Sequence, residues 1–212
     1  MARELDLDTW PRRAQFELFR RYELPFFNVC AEVDATATRA ACRARGVSFD
    51  LACWFACQRV VNAVEPYRYR LRGERVVIHE VIGITITRAA ADDTFVFCHI
   101  GPHDDFAAFV AEADAVLARQ KPGAPLDARP EVDDVIHGTT LPWLRFTSLS
   151  HARRVDAGDS VPKIAFGRCT RVGEAELLPV SVEVHHALMD GVHVARFFER
   201  LGALLAAPDW LD

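Results

Sequence analysis

Two histidines, His185 and His186, stand side by side after the alternating stretch VSVEV, and an Asp-Gly pair begins four residues beyond the second, at Asp190. Imidazole changes charge near neutral pH, so it can take and return a proton under physiological conditions. A residue at a strand end is held by a rigid sheet and opens onto a cleft, which suits a general base. Successive side chains of a strand point to opposite faces, so the two rings point apart and do not easily share one metal ion. The spacing HHxxxD also differs from HExxH, which puts two ligands on one helix face. The competing interpretation is a structural histidine pair. Asp190 either orients the imidazole of His186 or holds the corner by pairing with an arginine.

The elements that must position this corner follow from periodicity and caps. DTWPRRAQFELFRRY (Asp8 to Tyr22) reads as a helix capped by Asp8 or Thr9, with Pro11 in its first turn and Phe16 and Phe19 on one face. FFNVCAEV reads as a strand, ATRAACRARG as a short helix closed by Gly46, and Ser48 to Val64 as an apolar helix capped by Ser48. YRYRLRGERVVIHEV alternates around Arg-Gly, a hairpin signal. GITITRA and TFVFCHI alternate like strands. His103 to Lys121 reads as an amphipathic helix stopped by Pro122-Gly123, followed by a loop to residue 134. PWLRFTSL, PKIAFGRCT and AELLPVSVEVHH read as three further strands. A last helix runs from about Asp190 to about Ala206. No repeat or change of composition divides the chain, so residues 1–212 read as a single domain. Its hairpins and crossovers imply an α+β layout, with a mixed, largely antiparallel sheet packed by helices. No GxGxxG follows the first strand, which excludes a Rossmann reading.

Bulk properties exclude several function classes. The formal net charge is -5 and there is no basic tract, so nucleic acid is not an expected partner. The start, MARELDLDTW, has no apolar export signal, and no run reaches the ~18 apolar residues of a membrane span. A cytoplasmic protein without a membrane partner is expected. The cysteines are Cys30, Cys42, Cys53, Cys57, Cys98 and Cys169, with no CxxC pair. Free thiols in a reducing compartment fit them better than zinc or disulfides.

HHALMDGVH resembles the signature of the chloramphenicol acetyltransferases. The wider set of acyltransferases that share HHxxxDG includes the dehydrogenase-complex acyltransferase cores and peptide-synthetase condensation domains. The resemblance extends through DLDTWPRRAQFELFRRY, EPYRYRLRGERVVIHEV, DDTFVFCHIGPHDDFAAF, LPWLRFTSL and VPKIAFGRCT, in the same order and at compatible spacings. It implies a two-layer sandwich and a homotrimer with active sites at subunit interfaces. It also implies acetyl-CoA as co-substrate, no metal, and direct acetyl transfer to a hydroxyl without an acetyl-enzyme. His186 would be the general base. Thr139, four residues before Trp143, would hold the place of the serine that donates to the oxyanion. Asp190 would pair with Arg12 and shape the corner. Trp143 and Arg168 would meet the coenzyme. Leu18, Phe19, Phe95, Phe97, His151 and Arg153 would line the acceptor pocket.

This chain departs from the family pattern at Glu183 (usually Gln), Val192 (an aromatic), Ala165 (a threonine) and Cys169 (a tyrosine). Without the resemblance, Arg12 reads rather as a solvated helix face, while Trp143 reads equally as core and Arg168 equally as an exposed strand charge. Phe97 is larger than the residue common at its place, while His151 and Arg153 are polar where apolar residues are expected. The leading expectation is therefore an acetyl-CoA-dependent O-acetyltransferase, with chloramphenicol as default acceptor and antibiotic resistance as the matching role. The alternatives are the same chemistry on another small alcohol or amine, and a catalytically silent trimer that binds a small ligand.

Overall fold

A computed structural model describes residues 2–90, 93–119, 125–154 and 158–211. The fold is a mixed α/β two-layer sandwich in which an antiparallel-dominated sheet is packed by helices. Strands β2 (Phe26–Asp34), β10 (Ala175–His185), β8 (Lys163–Gly167), β7 (Val135–Leu141), β5 (Gly83–Ala89) and β6 (Phe95–Ile100) follow one another across the main sheet, and β9 (Thr170–Val172) also pairs with β10. Pairing is antiparallel except at β5–β7 and β7–β8. A smaller antiparallel sheet joins β1 (Ala2–Glu4), β4 (Arg75–His79) and β3 (Tyr69–Arg72). Its hairpin turns at Gly73, whose φ of 63° suits a residue without Cβ.

The main sheet has two unlike faces. Ile84, Ile86, Ile164, Val180, Val182 and Val184 join Trp54, Phe55 and Val60 of α3 (Phe49–Ala63) in the hydrophobic core. The core also takes side chains from α2 (Thr36–Arg45), α4 (Phe106–Ala118) and α5 (Gly191–Ala206). Helix α3 starts where Ser48 accepts the Leu51 N–H, and α2 stops at Gly46, φ 70°. The alternate residues of the same strands, among them Thr139, Ser181, Glu183 and His185, face away from this core. A loop beginning at Pro142 covers part of that polar face, with Phe146 and the Leu144 carbonyl against Gly167.

Four sequence expectations change. Helix α1 spans Arg13–Phe19, shorter than Asp8 to Tyr22, and its N-cap residue is Arg12. Asp8 and Thr9 do not cap it, because Asp6 draws both into its own turn, accepting the Asp8 N–H and the Thr9 hydroxyl. PWLRFTSL is not a strand. The strand is the preceding segment, β7, and the Leu144 N–H closes a turn onto the Leu141 carbonyl. Gly138 and the polar residues of VIHGTTL hide this strand from an apolar pattern. PKIAFGRCT splits at Arg168 into β8 and β9. Helix α4 is capped by Asp105 rather than starting at His103, and its expected stop at Pro122-Gly123 lies outside the described residues.

Gly138 faces α3 so closely that a Cβ there would overlap the Trp54 ring and come within 2.9 Å of Ile86 Cγ2. Gly138→Ala should therefore lower stability by about 1–3 kcal/mol. Gly202, in the interior of α5, has no such neighbour inside 3.8 Å. Gly202→Ala should instead raise stability by about 0.5–1 kcal/mol. Urea denaturation of the two variants checks both signs.

Candidate active site

Strand β10 ends at His185, and the chain turns through Ala187 and Leu188 into α5. The turn is closed by the Leu188 and Met189 N–H groups donating to the His185 carbonyl at 3.0 and 3.1 Å. The two imidazoles have separate surroundings. His185 is 6% exposed, packs edge-on against Phe26, and its Nδ1 accepts the Ala187 N–H at 3.2 Å. Burial, with the charge of Arg153, pushes its pKa down to about 4. The ring of His186 lies flat on Phe19, with centroids 3.7 Å apart and planes 8° apart, and Phe27 leans on it at 4.6 Å. His186 Nδ1 is 3.2 Å from the Met189 carbonyl and 3.3 Å from the Asp190 carboxylate. A proton on Nδ1, donated to that carbonyl, leaves Nε2 as the ring's acceptor.

Arg12 locks this corner. Its Nε and Nη2 each donate to one Asp190 oxygen at 2.8 Å, while Nη1 and Nη2 reach the Ala187 and His186 carbonyls at 3.1 and 3.2 Å. The hydrogen bonds from Arg12 hold the Asp190 carboxyl below its ordinary pKa. His193 adds a contact that sequence reasoning did not single out, its Nδ1 accepting the Asp190 N–H at 2.8 Å. Leu18 is next to Phe19 on α1 and is 52% exposed.

Thr139 belongs to a second group of residues. On the polar face of the sheet, register sets Phe97, Thr87, Thr139, Ala165, Ser181 and Cys30 in one row across β6, β5, β7, β8, β10 and β2. Thr139 Oγ1 is 2.6 Å from Thr87 Oγ1, and the Phe95 and Phe97 rings lie 5.3 Å apart. Thr139 is level with Ser181, two strands away, and His186 lies five residues further along β10. That is about 10 Å across the sheet and about 17 Å along it. A single copy of the chain therefore does not bring His186 and Thr139 together.

The next row on this face is His99, Thr85, His137, Lys163, Glu183 and Asn28. Sequence reasoning missed it, because no local pattern marks a row built from six strands. Burial, aided by the Lys163 charge, pushes the His137 pKa down to about 4. Burial opposes the charge of Glu183, yet contacts with His151 and Arg153 prevail and bring its pKa to about 2. Arg153 is already largely engaged. It donates to Glu183 at 2.6 Å, to Asp159 at 3.2 Å and to the carbonyls of Val161 and Glu183, and it lies over the Phe26 ring. The ring nitrogens of His151 have no hydrogen-bond partner among the described residues. Its Nδ1 lies 3.6 Å from Glu183, beyond hydrogen-bond length.

A cavity of about 460 Å³ opens between α2, α3 and the ends of β7 and β8, lined by Arg39, Arg43, Phe49, Thr140, Pro142 and Arg168 among others. Arg39 and Arg43, four apart on one face of α2, were not singled out from the sequence, although their spacing was visible there. Trp143 is 64% exposed, so it is not core, and it lies one residue beyond Pro142 of the cavity wall. Among the described residues no group of histidine, cysteine or carboxylate side chains is arranged to hold a metal ion.

The sequence profile of the chloramphenicol acetyltransferases matches residues 2–202. The chain belongs to the chloramphenicol acetyltransferase family. A chloramphenicol acetyltransferase of Streptomyces acrimycini is 35% identical over 214 residues, covering 98% of this chain and 96% of that protein. Chloramphenicol acetyltransferase 2 of Escherichia coli is 28% identical, covering 93% of each chain. A solved chloramphenicol acetyltransferase structure superposes with a TM-score of 0.90 at 24% identity, covering 97% of this chain and all of the other. A dihydrolipoamide acetyltransferase of Azotobacter vinelandii shares the fold at a TM-score of 0.67 and 17% identity, over 93% of this chain and 88% of that one. Membership makes the protein an acyltransferase of an acetyl-CoA-dependent family.

The buried histidines of this family member give it a stability that depends on pH. His137 and His185 have folded pKa values of about 4 against an ordinary 6.5. Between those values the unfolded chain binds protons that the folded chain does not, so stability falls as pH drops from 6.5 to 4. Below about 4 both states are protonated and this contribution levels off. Each pKa unit is worth about 1.4 kcal/mol, so the two together should cost several kcal/mol. Urea midpoints measured from pH 7 to pH 4 should show the decline, and His137→Asn should flatten it.

Proposed function

We propose that the protein is an acetyl-CoA-dependent O-acetyltransferase with His186 as general base. The observation that carries this reading is the clamped imidazole: Phe19 holds its plane, the Met189 carbonyl takes Nδ1, and Nε2 is left to accept a proton. Nε2 takes the proton of an acceptor hydroxyl as its oxygen attacks the thioester carbonyl carbon. The Thr139 hydroxyl donates to the oxyanion that forms. Collapse breaks the carbon–sulfur bond, and His186 returns its proton to the departing thiolate. The products are an acetyl ester and free coenzyme. Asp190 and Arg12 hold the corner rather than relaying protons. The arginines around the 460 Å³ cavity suit the coenzyme's phosphates, Arg39 and Arg43 joining Arg168. Six free cysteines suit a reducing cytoplasm.

The separation of His186 from Thr139 supports a site shared between copies of the chain, in a homotrimer. Strands β2 and β6 end the main sheet, and Phe95, Trp143 and Leu144 are 46%, 64% and 57% exposed, apolar surface that a neighbouring subunit can cover. The exposed surface from PWLRFTSL is thus a loop and not a strand edge. Light scattering at micromolar concentration should give three times the chain mass of 23.7 kDa. A monomeric mass would count against the shared site.

Chloramphenicol is the default acceptor, as the names of the relatives suggest. The His151 imidazole, whose nitrogens make no hydrogen bond among the described residues, and the bulk of Phe97 favour a more polar alcohol, since a buried polar group without a hydrogen bond costs about 1–3 kcal/mol. Arg153 contributes less to this preference than its type implies, because most of its donors are taken. A thiol-release assay over a panel of acceptors tests the proposal. If no acceptor released thiol, a silent ligand-binding trimer would be the better account.

His186→Ala should lower turnover at least ~10²-fold while calorimetric coenzyme binding persists. His185→Ala should act through packing, lowering the denaturation midpoint more than the turnover of the folded fraction. Equal losses of turnover at unchanged stability would reverse the two roles.

A further inference from the structure

We propose that Thr87 is a positioning residue that aims the Thr139 hydroxyl at the oxyanion; this rests on the reading of Thr139 as the oxyanion donor. A threonine hydroxyl has one proton and two acceptor sites. Thr87 Oγ1 and Thr139 Oγ1 are 2.6 Å apart, a short O–H···O bond in which either can be the donor. If Thr139 donated to Thr87, no proton would remain for the oxyanion. If Thr87 donates, the Thr139 proton is free, and accepting one hydrogen bond strengthens the hydroxyl as a donor of the next. Negative charge developing beside Thr139 selects the second arrangement.

The sheet leaves this task to β5. On the β8 side, Thr139 is level with Ala165, which has no polar atom in its side chain. Among the described residues, the Thr139 side chain has Thr87 as its one hydrogen-bond partner. Thr87 itself is held on a strand paired on both sides, opposite Phe97 on β6. Both threonines are β-branched and stiff at χ1, so the pair is fixed before substrate arrives. Phe97 is level with the pair on the side away from Ala165. Thr87 touches no reacting atom and acts through Thr139.

Steady-state kinetics on the full-length wild type, Thr87→Val, Thr87→Ser, Thr139→Val and the Thr87→Val/Thr139→Val double variant test the idea, with the best acceptor of the panel and acetyl-CoA. Valine keeps the shape of threonine and removes the donor. Thr87→Val should lower kcat about tenfold, the size of one hydrogen bond's net contribution. KM for both substrates should stay within about twofold, since the effect arises with the oxyanion and not in the bound ground state. Thr87→Ser should recover most of the loss. In the Thr139→Val background, Thr87→Val should have no further effect. Thermal denaturation of each variant separates folding losses from catalytic ones. A Thr87→Val enzyme with unchanged kcat beside an impaired Thr139→Val enzyme would overturn the proposal alone. Losses that multiply in the double variant, or that appear in KM instead of kcat, would also overturn it. A fully active Thr139→Val enzyme would overturn the oxyanion reading and this proposal with it.

Discussion

The two-pronged bond from Arg12 to Asp190 joins residues 178 positions apart, and the geometry of the His186 corner depends on it. The pair is only partly exposed, at 14% and 34%, so it is less screened than a surface ion pair. Its value lies in direction as much as energy, because a guanidinium fork fixes a carboxylate in plane and in distance. The remaining donors of Arg12 take the His186 and Ala187 carbonyls, backbone groups that a strand-to-helix corner leaves without ladder partners. The arginine itself sits over the Trp10 ring, and Trp10 packs against Phe16 and Tyr69. Aromatic contacts thus anchor the opening segment, which supplies both Arg12 for the corner and Phe19 for the imidazole.

The main sheet supplies the second constraint through its unlike faces. Toward α3 it is apolar and closely packed, to the point that Gly138 must lack a Cβ for Trp54 to fit. Away from α3 it carries a hydroxyl-bearing row and a row of imidazole, ammonium and carboxylate groups. Burying such charges is costly unless they are paired and hydrogen-bonded, and Arg153, Glu183, Asp159 and Lys163 pair among themselves. A face made this way does not drive hydrophobic collapse of its own chain. It is rigid because the opposite face is packed, and it can present polar groups at fixed spacing to a ligand or to another subunit.

Much of the fold was legible in the sequence because it is local. Ser48 before an apolar helix, Gly46 after a short one and Arg-Gly between alternating strands each act through neighbours a few residues away. HHALMDG identified the corner for the same reason, and with the segments around it the family. Local pattern also misled where polar content hid a strand, as in VIHGTTL, and where alternating large residues imitated one, as in PWLRFTSL. Asp6 took the two residues that would otherwise have capped α1, a competition among neighbours that propensity does not rank.

By itself, then, the sequence determined the types of most elements, the place of the histidine corner, the absence of a metal-ligand spacing at it, and the family. Tertiary structure decided which groups meet. Phe19 reaches His186 only because α1 folds back over the end of β10, and Arg12 reaches Asp190 by the same path. Thr87 meets Thr139, and Arg153 is drawn to Glu183 and Asp159, through pairings of strands and loops far apart in the chain. Register and packing between distant segments are set by the whole buried surface at once, so no window of residues carries them.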